Sequence, residues 1–335
     1  MKKFIYSILF LSGILISCQS GEKKVNSSAE KTKTVLEALN DSIAKDSSNY
    51  ALFNRRARYF LSENQLNPAL NDLNKALKIN PKEPELFLTL AEIYFKLGKN
   101  ENTTASLLKA VELDPYKTEA YNKLSQLNIL TQRFDIALAY NDKALMVEPF
   151  NAKSLYIRGM VFLARQDTVS AMKNFLLSRD ASPDFYESLI QIGAIYSKQH
   201  NPLAADYLHD AVRRFPDAAQ ARYELALYLQ ENGSPEKAMA HYDTLMMQFP
   251  VNKFVLYNIG YLYLVFGQQP DSALYYFDRS LAIDPHYLDA MYNKGRTFEE
   301  MGKYMAAREI YQDVLKDNTN YQLAIDGLNR LDRKR

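Results

Sequence analysis

Three sets of residues in this chain are of types that could do chemistry: one cysteine, four histidines and 24 tyrosines among 335 residues. A single Cys18 cannot close a disulfide within the chain or supply the several thiolates of a structural zinc site, so what remains to it is the chemistry of a lone nucleophile. His200, His209, His241 and His286 lie nine or more residues apart, a spacing that predicts surface or packing roles rather than a metal centre. Asp and Glu are plentiful but scattered, and none are paired in a way that marks a general acid and base. There is no G-x-S-x-G, no H-E-x-x-H and no phosphate-cradling glycine loop. The expectation is a protein that is not an enzyme, with no cofactor, no metal and no small-molecule substrate.

Charge narrows the partners. Lys and Arg total 41 against 39 Asp and Glu, and both extra cations, Lys2 and Lys3, sit in the first seventeen residues. A chain balanced at 39 against 39 beyond them lacks the cationic field that displaces counterions from nucleic acid. Residues 1–17, MKKFIYSILFLSGILIS, combine that basic start with thirteen largely apolar residues from Phe4 to Ile16. The run is short of the about 20 residues that span a bilayer and fits the apolar region of a signal peptide. It ends in Leu15-Ile16-Ser17-Cys18, which resembles the bacterial lipobox and implies lipidation of Cys18 as the first residue of the mature chain. Several acyl chains on one residue would anchor it stably, at about 0.8 kcal/mol per buried methylene. Residues 18–33 are poor in apolar side chains and read as a flexible tether. Gln19, where an aspartate would signal inner-membrane retention, leans the expected location to the outer membrane, with its face open.

The elements that must position any binding residues follow from a repeat. Pro81, Pro115, Pro149, Pro183, Pro216, Pro250 and Pro285 recur at spacings of 34, 34, 34, 33, 34 and 35. Counting each unit from three residues after these prolines, slot eight is always small: Ala57, Ala91, Ser125, Gly159, Gly193, Ala226, Gly260 and Gly295. Alanine recurs at slot twenty (Ala69, Ala137, Ala171, Ala238, Ala307) and slot twenty-seven (Ala76, Ala110, Ala144), as two closely packed antiparallel helices require. Gly98, Gly233, Gly267 and Gly302 at slot fifteen predict a left-handed turn that ends the first helix. Pro68, Pro202, Pro235 and Pro270 are placed to open the second.

These slots resemble the tetratricopeptide repeat (TPR) family, with the closest match over LDAMYNKGRTFEEMGKYMAAREIYQDVLKDNTN from Leu288. Eight units are placed at 50–83, 84–117, 118–151, 152–185, 186–218, 219–252, 253–287 and 288–321, with no separate domains expected. Thr103 replaces alanine at slot twenty, one residue is missing near His200, one is added near Gln268, and Thr319 replaces the last proline. Residues 34–49 read as a degenerate half-repeat, with Val35, Leu36, Leu39 and Ile43 on one side, and 322–335 as a capping helix packing through Leu323, Ile325, Leu328 and Leu331. The resemblance implies an all-α solenoid forming a right-handed superhelix, with slots 2, 5, 6, 9, 12 and 13 of the first helices lining a concave groove. Early units place polar residues there, such as Asn54, Arg55, Arg58, Glu92 and Lys123. From the fourth unit on, the groove slots hold Tyr156, Met160, Leu163, Ile190, Tyr223, Leu227, Tyr257, Asn258, Tyr261, Leu264, Tyr292 and Asn293. Tyrosine offers large contact area at low entropic cost, and an Asn amide can hold a peptide backbone. Tyr-Asn at slots five and six also serves simple packing in the family. The lysine and asparagine set of the family's carboxylate clamp occurs in no three consecutive units. The resemblance therefore implies an adaptor holding a peptide or helix of an envelope protein, or, as alternatives, a self-associating solenoid or a carbohydrate binder.

Overall fold

The computed structural model describes residues 34–333, and every regular element in that range is an α-helix. Cys18, the signal peptide and the tether lie outside the described residues. The chain divides into two compact units after Ala181, although the sequence period runs through that point unbroken.

The first unit opens with α1 (Val35–Lys45) and continues in four hairpins: α2 (Tyr50–Ser62) with α3 (Leu66–Ile79), α4 (Pro84–Lys96) with α5 (Asn100–Leu113), α6 (Thr118–Leu130) with α7 (Phe134–Val147), and α8 (Ala152–Ala164) with α9 (Thr168–Ala181). The second unit holds α10 (Tyr186–Lys198) with α11 (Leu203–Arg214), α12 (Ala219–Glu231) with α13 (Pro235–Gln248), α14 (Lys253–Val265) with α15 (Pro270–Ile283), and α16 (Leu288–Glu300) with α17 (Tyr304–Asp317). It closes on α18 (Gln322–Arg333).

Within each hairpin the turn is fixed by one left-handed residue. Slot fifteen has positive φ at Asn64, Gly98, Gln132, Gln166, His200, Gly233 and Gly302, so four of these seven turns hold a side chain in a conformation that favours glycine. The next residue's N–H then reaches five residues back, as from Lys99 to the Tyr94 carbonyl (2.9 Å) and from Arg133 to that of Asn128 (2.8 Å). The seventh hairpin departs from expectation. Its extra residue moves the reversal from Gly267 to Gln268 (φ 49), and the Gln269 N–H reaches back to Tyr263 (3.0 Å). Gly267 is constrained by space instead, since a β-carbon there would lie 3.2 Å from the Tyr263 carbonyl oxygen. Pro235 and Pro270 are the first residues of their helices, Pro202 directly precedes α11, and Pro68 falls within the first turn of α3.

The two helices of each hairpin meet through the small slots. The slot-twenty alanines are fully buried, and Thr103 matches them by donating its hydroxyl to the Lys99 carbonyl (3.0 Å). Slot eight faces the large side chain at slot twenty-four. A β-carbon on Gly159, Gly260 or Gly295 would come within 2.5, 2.8 and 2.8 Å of the rings of Phe175, Phe277 and Tyr311. Ser178 and Ser280 at slot twenty-seven donate to the carbonyls of Ala152 (2.7 Å) and Lys253 (2.9 Å), tying the second helix to the start of the first.

Both ends are capped. In α1 the Thr34 hydroxyl accepts from the Glu37 N–H (3.2 Å) and the Glu37 carboxylate from the Thr34 N–H (2.8 Å). Leu39 and Ile43 are buried, whereas Val35, one turn before Leu39 on the same stripe and first in the helix, is 64% exposed. In α18 the buried stripe is Ala324, Gly327 and Leu331, and Leu323 is exposed rather than packed. The register is set by Gly327, whose missing β-carbon lets α18 close on Tyr311; one there would lie 2.5 Å from the ring.

The turns make a paired prediction. Gln132→Gly should raise stability by up to about 1 kcal/mol, because relief of left-handed strain outweighs the added chain entropy. Gly98→Ala, with nothing near its added methyl group, should lower it by about 1 kcal/mol through φ alone. Urea denaturation of the two variants beside wild type measures both.

Candidate functional site

In the second unit the first helices α12, α14 and α16 carry tyrosines at slot five, each resting on the large residue at slot twenty-four of its own hairpin, while α10 has Ile190 there. Tyr223 packs on Tyr242 (ring centroids 6.1 Å apart), Tyr257 on Phe277 (6.0 Å) and Tyr292 on Tyr311 (5.7 Å). In the first unit Tyr156 sits on Phe175 in the same way (5.6 Å). Phe175, Tyr242, Phe277 and Tyr311 are fully buried. These four are what sequence reading missed, though a ring at slot twenty-four opposite glycine at slot eight was a visible signal in three of the hairpins.

The slot-five hydroxyls are joined to the following repeat. The Asn258 amide donates to the Tyr223 hydroxyl (3.0 Å), and the Asn293 amide donates to the Tyr257 hydroxyl (3.1 Å) and to the Asp289 carbonyl (3.0 Å). Both asparagines are only 4% exposed, so their amide groups are engaged in a ladder between repeats. The Asn293 side-chain oxygen is buried without a partner. Burial holds the Tyr257 hydroxyl far above the usual phenol range and keeps it protonated.

The other expected groove residues divide by burial. Ile190 (1% exposed) packs with Leu189, Ala211 and Ala221, and Leu264 (3%) with Ala273 and Phe277. Both are core residues and present almost no surface. Met160 is nearly buried in α8, and Leu163 beside it is half-buried. Tyr156, Tyr223, Leu227, Tyr257, Tyr261 and Tyr292 are half-buried. In the second unit Tyr261 continues the strip from Tyr257 (6.4 Å), and Tyr287 adds to it (5.2 Å).

In the first three repeats of the first unit the outward face carries paired charges instead, whereas the fourth has Tyr156, Met160 and Leu163. Arg58 and Lys117 both meet Glu85 (2.9 and 3.1 Å), and Lys123 meets Glu92 and Glu119 (2.6 and 3.4 Å). Burial draws the Lys123 ammonium down, but Glu92 and Glu119 outweigh it and hold it above the usual range. The second unit instead holds an unpaired carboxylate. Glu224, next to Tyr223 on α12, is half-buried and makes no hydrogen bond or ion pair. Burial pushes it up to about 7, with Lys198 pulling against it and Glu231 adding to it. At the end of this unit Tyr292, Arg296, Glu299, Glu300 and Arg330 line a cavity of about 270 Å³, in which Arg330 holds Glu299 at 2.9 Å.

Among the described residues no three His, Cys, Asp or Glu side chains gather as a metal ion would need, and no helix is long and apolar enough to cross a membrane. His209 and His241 come close enough to interact, while His286 is exposed and bonded to Asp317 (2.7 Å).

Glu224 has a consequence for stability. Its folded-state pKa near 7 lies above that of an unfolded glutamate, so the folded chain binds the extra proton and loses stability as pH rises through that window. Glu224→Gln should therefore be more stable than wild type by about 1–2 kcal/mol at pH 8, with the gap closing below pH 5, as read from urea midpoints at the two pH values.

Family profiles described as TPR repeat or tetratricopeptide repeat match residues 57–98, 84–117, 196–252 and 268–328. Among curated proteins the chain is 23% identical over 323 residues to DnaJ homolog subfamily C member 3 of Bos taurus, covering 86% of this chain and 63% of that one. It is 24% identical to mitochondrial import receptor subunit TOM70 of Homo sapiens over 68% of this chain and 34% of that one. The chain thus spans less than two thirds of either relative. Its fold is shared with a chain in the crystal structure of the APC/C hetero-tetramer Cut9-Hcn1, at a TM-score of 0.64 and 15% identity over 88% of this chain and 58% of that one. With the period, the hairpin turns and the small-slot packing agreeing with profiles that fall in both units, the chain belongs to the tetratricopeptide-repeat family.

Proposed function

We propose that this protein is a non-enzymatic adaptor of the bacterial cell envelope, held to a membrane by lipid on Cys18, that binds an extended or helical segment of a partner protein along the first helices of residues 182–333. The observation that carries this reading is the half-buried strip of Tyr223, Tyr257, Tyr261 and Tyr292, in which the Asn258 and Asn293 bonds fix Tyr223 and Tyr257. Aromatic area that is fixed before binding loses little entropy when a partner arrives. The names of the similar proteins, an import receptor subunit and a member of a hetero-tetramer, are those of proteins that work on or with other proteins. The basic start, the apolar run and the lipobox around Cys18 support the anchor, and Gln19 supports the outer membrane.

Tyr257 and Asn258 belong to the ladder between repeats, so substituting them would confound binding with folding. The test therefore uses Leu227→Ser/Tyr261→Ser, with circular dichroism confirming the helical fold. Affinity purification from native membranes should recover a partner with wild type and lose it with this variant. Equal recovery would move the binding surface elsewhere, and recovery of the chain itself as the sole partner would favour self-association. The anchor is read separately. Cys18→Ala should leave the membrane fraction and cease to incorporate labelled fatty acid, and retention of both would refute lipidation.

A further inference from the structure

We infer that the aromatic face of residues 182–333 selects a basic segment of its partner and seats a lysine or arginine side chain at Glu224. This rests on the proposed groove and names the chemistry of what enters it. Positions 223, 224, 227 and 231 of α12 recur at helical spacing on one side of the helix, so Glu224 and Glu231 flank the strip on which Tyr223 and Leu227 stand. The charged groups that act on Glu224 are Lys198 of α10 and Glu231 of α12, and both carboxylates act on Tyr242 of α13. Lys198 is thus the one cation set against Glu224 while Glu231 adds a second carboxylate. Further along, Arg296 is engaged by Glu300 (3.1 Å), and Asp289 accepts a bond from the neutral Tyr321 hydroxyl (2.6 Å). The face therefore carries unneutralised negative charge beside half-buried aromatic area, which complements a cation carried on an apolar segment.

A second observation points to the same ligand chemistry. Slot six of the last three repeats holds Glu224, Asn258 and Asn293. The Asn293 amide nitrogen is committed to Tyr257 and Asp289, while its carbonyl oxygen, in a residue 4% exposed, has no partner. An unpaired acceptor of this kind is costly unless a donor arrives, and a peptide N–H or an ammonium group is such a donor. The carboxylate at Glu224 gains most, because a bound cation would offset the burial that now pushes its pKa up to about 7.

A random dodecapeptide library displayed on phage tests this, selected on the immobilised full-length protein at pH 8 and pH 6. Wild type at pH 8 should enrich sequences with lysine or arginine beside aromatic or aliphatic residues, with at least tenfold weaker retention at pH 6. Glu224→Gln should lose the basic enrichment and the pH dependence, whereas Glu236→Gln, an exposed carboxylate on α13, should keep both. Neutral or acidic sequences that are lost on Leu227→Ser/Tyr261→Ser but indifferent to Glu224→Gln would overturn this inference and leave the groove standing. No enrichment on wild type over Leu227→Ser/Tyr261→Ser would overturn the groove together with the inference.

Discussion

Two antiparallel helices can approach only as closely as the side chains between them permit, and here that limit is set where slot eight of the first helix meets slot twenty-four of the second. Glycine at Gly159, Gly260 and Gly295 leaves room for the rings of Phe175, Phe277 and Tyr311. A single added methyl group would overpack the contact, a change that typically costs about 1–3 kcal/mol. The buried rings then form the floor on which the slot-five tyrosines lie, so the exposed face is as well defined as the core beneath it. Tyr311 carries this furthest: Gly295 admits it from one side, Gly327 from the other, and its hydroxyl donates to Glu299 (3.0 Å). One side chain thereby joins the last hairpin to the helix that caps it.

Much of this was legible in the sequence because a repeat reports each position several times over. The proline spacing, the small residues at slots eight and twenty and the glycines at slot fifteen fixed the hairpins, and their helices fall within a few residues of the expected places. What escaped did so for physical reasons. Gln132, Gln166 and His200 adopt left-handed backbone because the surrounding hairpin imposes it, and nothing in those side chains announces it. The turn near Gln268 shifted by one residue because an insertion moves the point of reversal without moving the glycine. Leu264 and Ile190 occupy groove slots by count but are covered by their own hairpins, since slots near the edge of a helical face are assigned to core or surface by the bulk of their neighbours. Glu224 lacks a bonded partner and is governed by burial, with Lys198 and Glu231 acting from farther off, a property of the packing that no local pattern encodes.

The two units show one architecture carrying two surface chemistries. In the first three repeats the outward face pairs Arg58 and Lys117 with Glu85, and Lys123 with Glu92 and Glu119, so charge is neutralised locally. In residues 182–333 the same face gathers aromatic rings and leaves carboxylates over. Because the hairpin is stabilised by its small slots, the outward slots are free to differ without changing the fold.

The tyrosine–asparagine bonds also bear on how such an array can grow. Each runs from slot five of one repeat to slot six of the next, from Tyr223 to Asn258 and from Tyr257 to Asn293. The seventh repeat holds both halves, donating through Asn258 and accepting through Tyr257. A tandem duplication of residues 253–287 would thus set a second Tyr257 beside Asn293 and a second Asn258 beside the first Tyr257, leaving no rung of the ladder open. The same event at the sixth repeat would place Glu224 opposite Tyr223, a carboxylate in place of the amide donor. By this physical criterion the gene can lengthen at one repeat more readily than at its neighbour, and the spare polar groups of the ladder act as a rule for recombination.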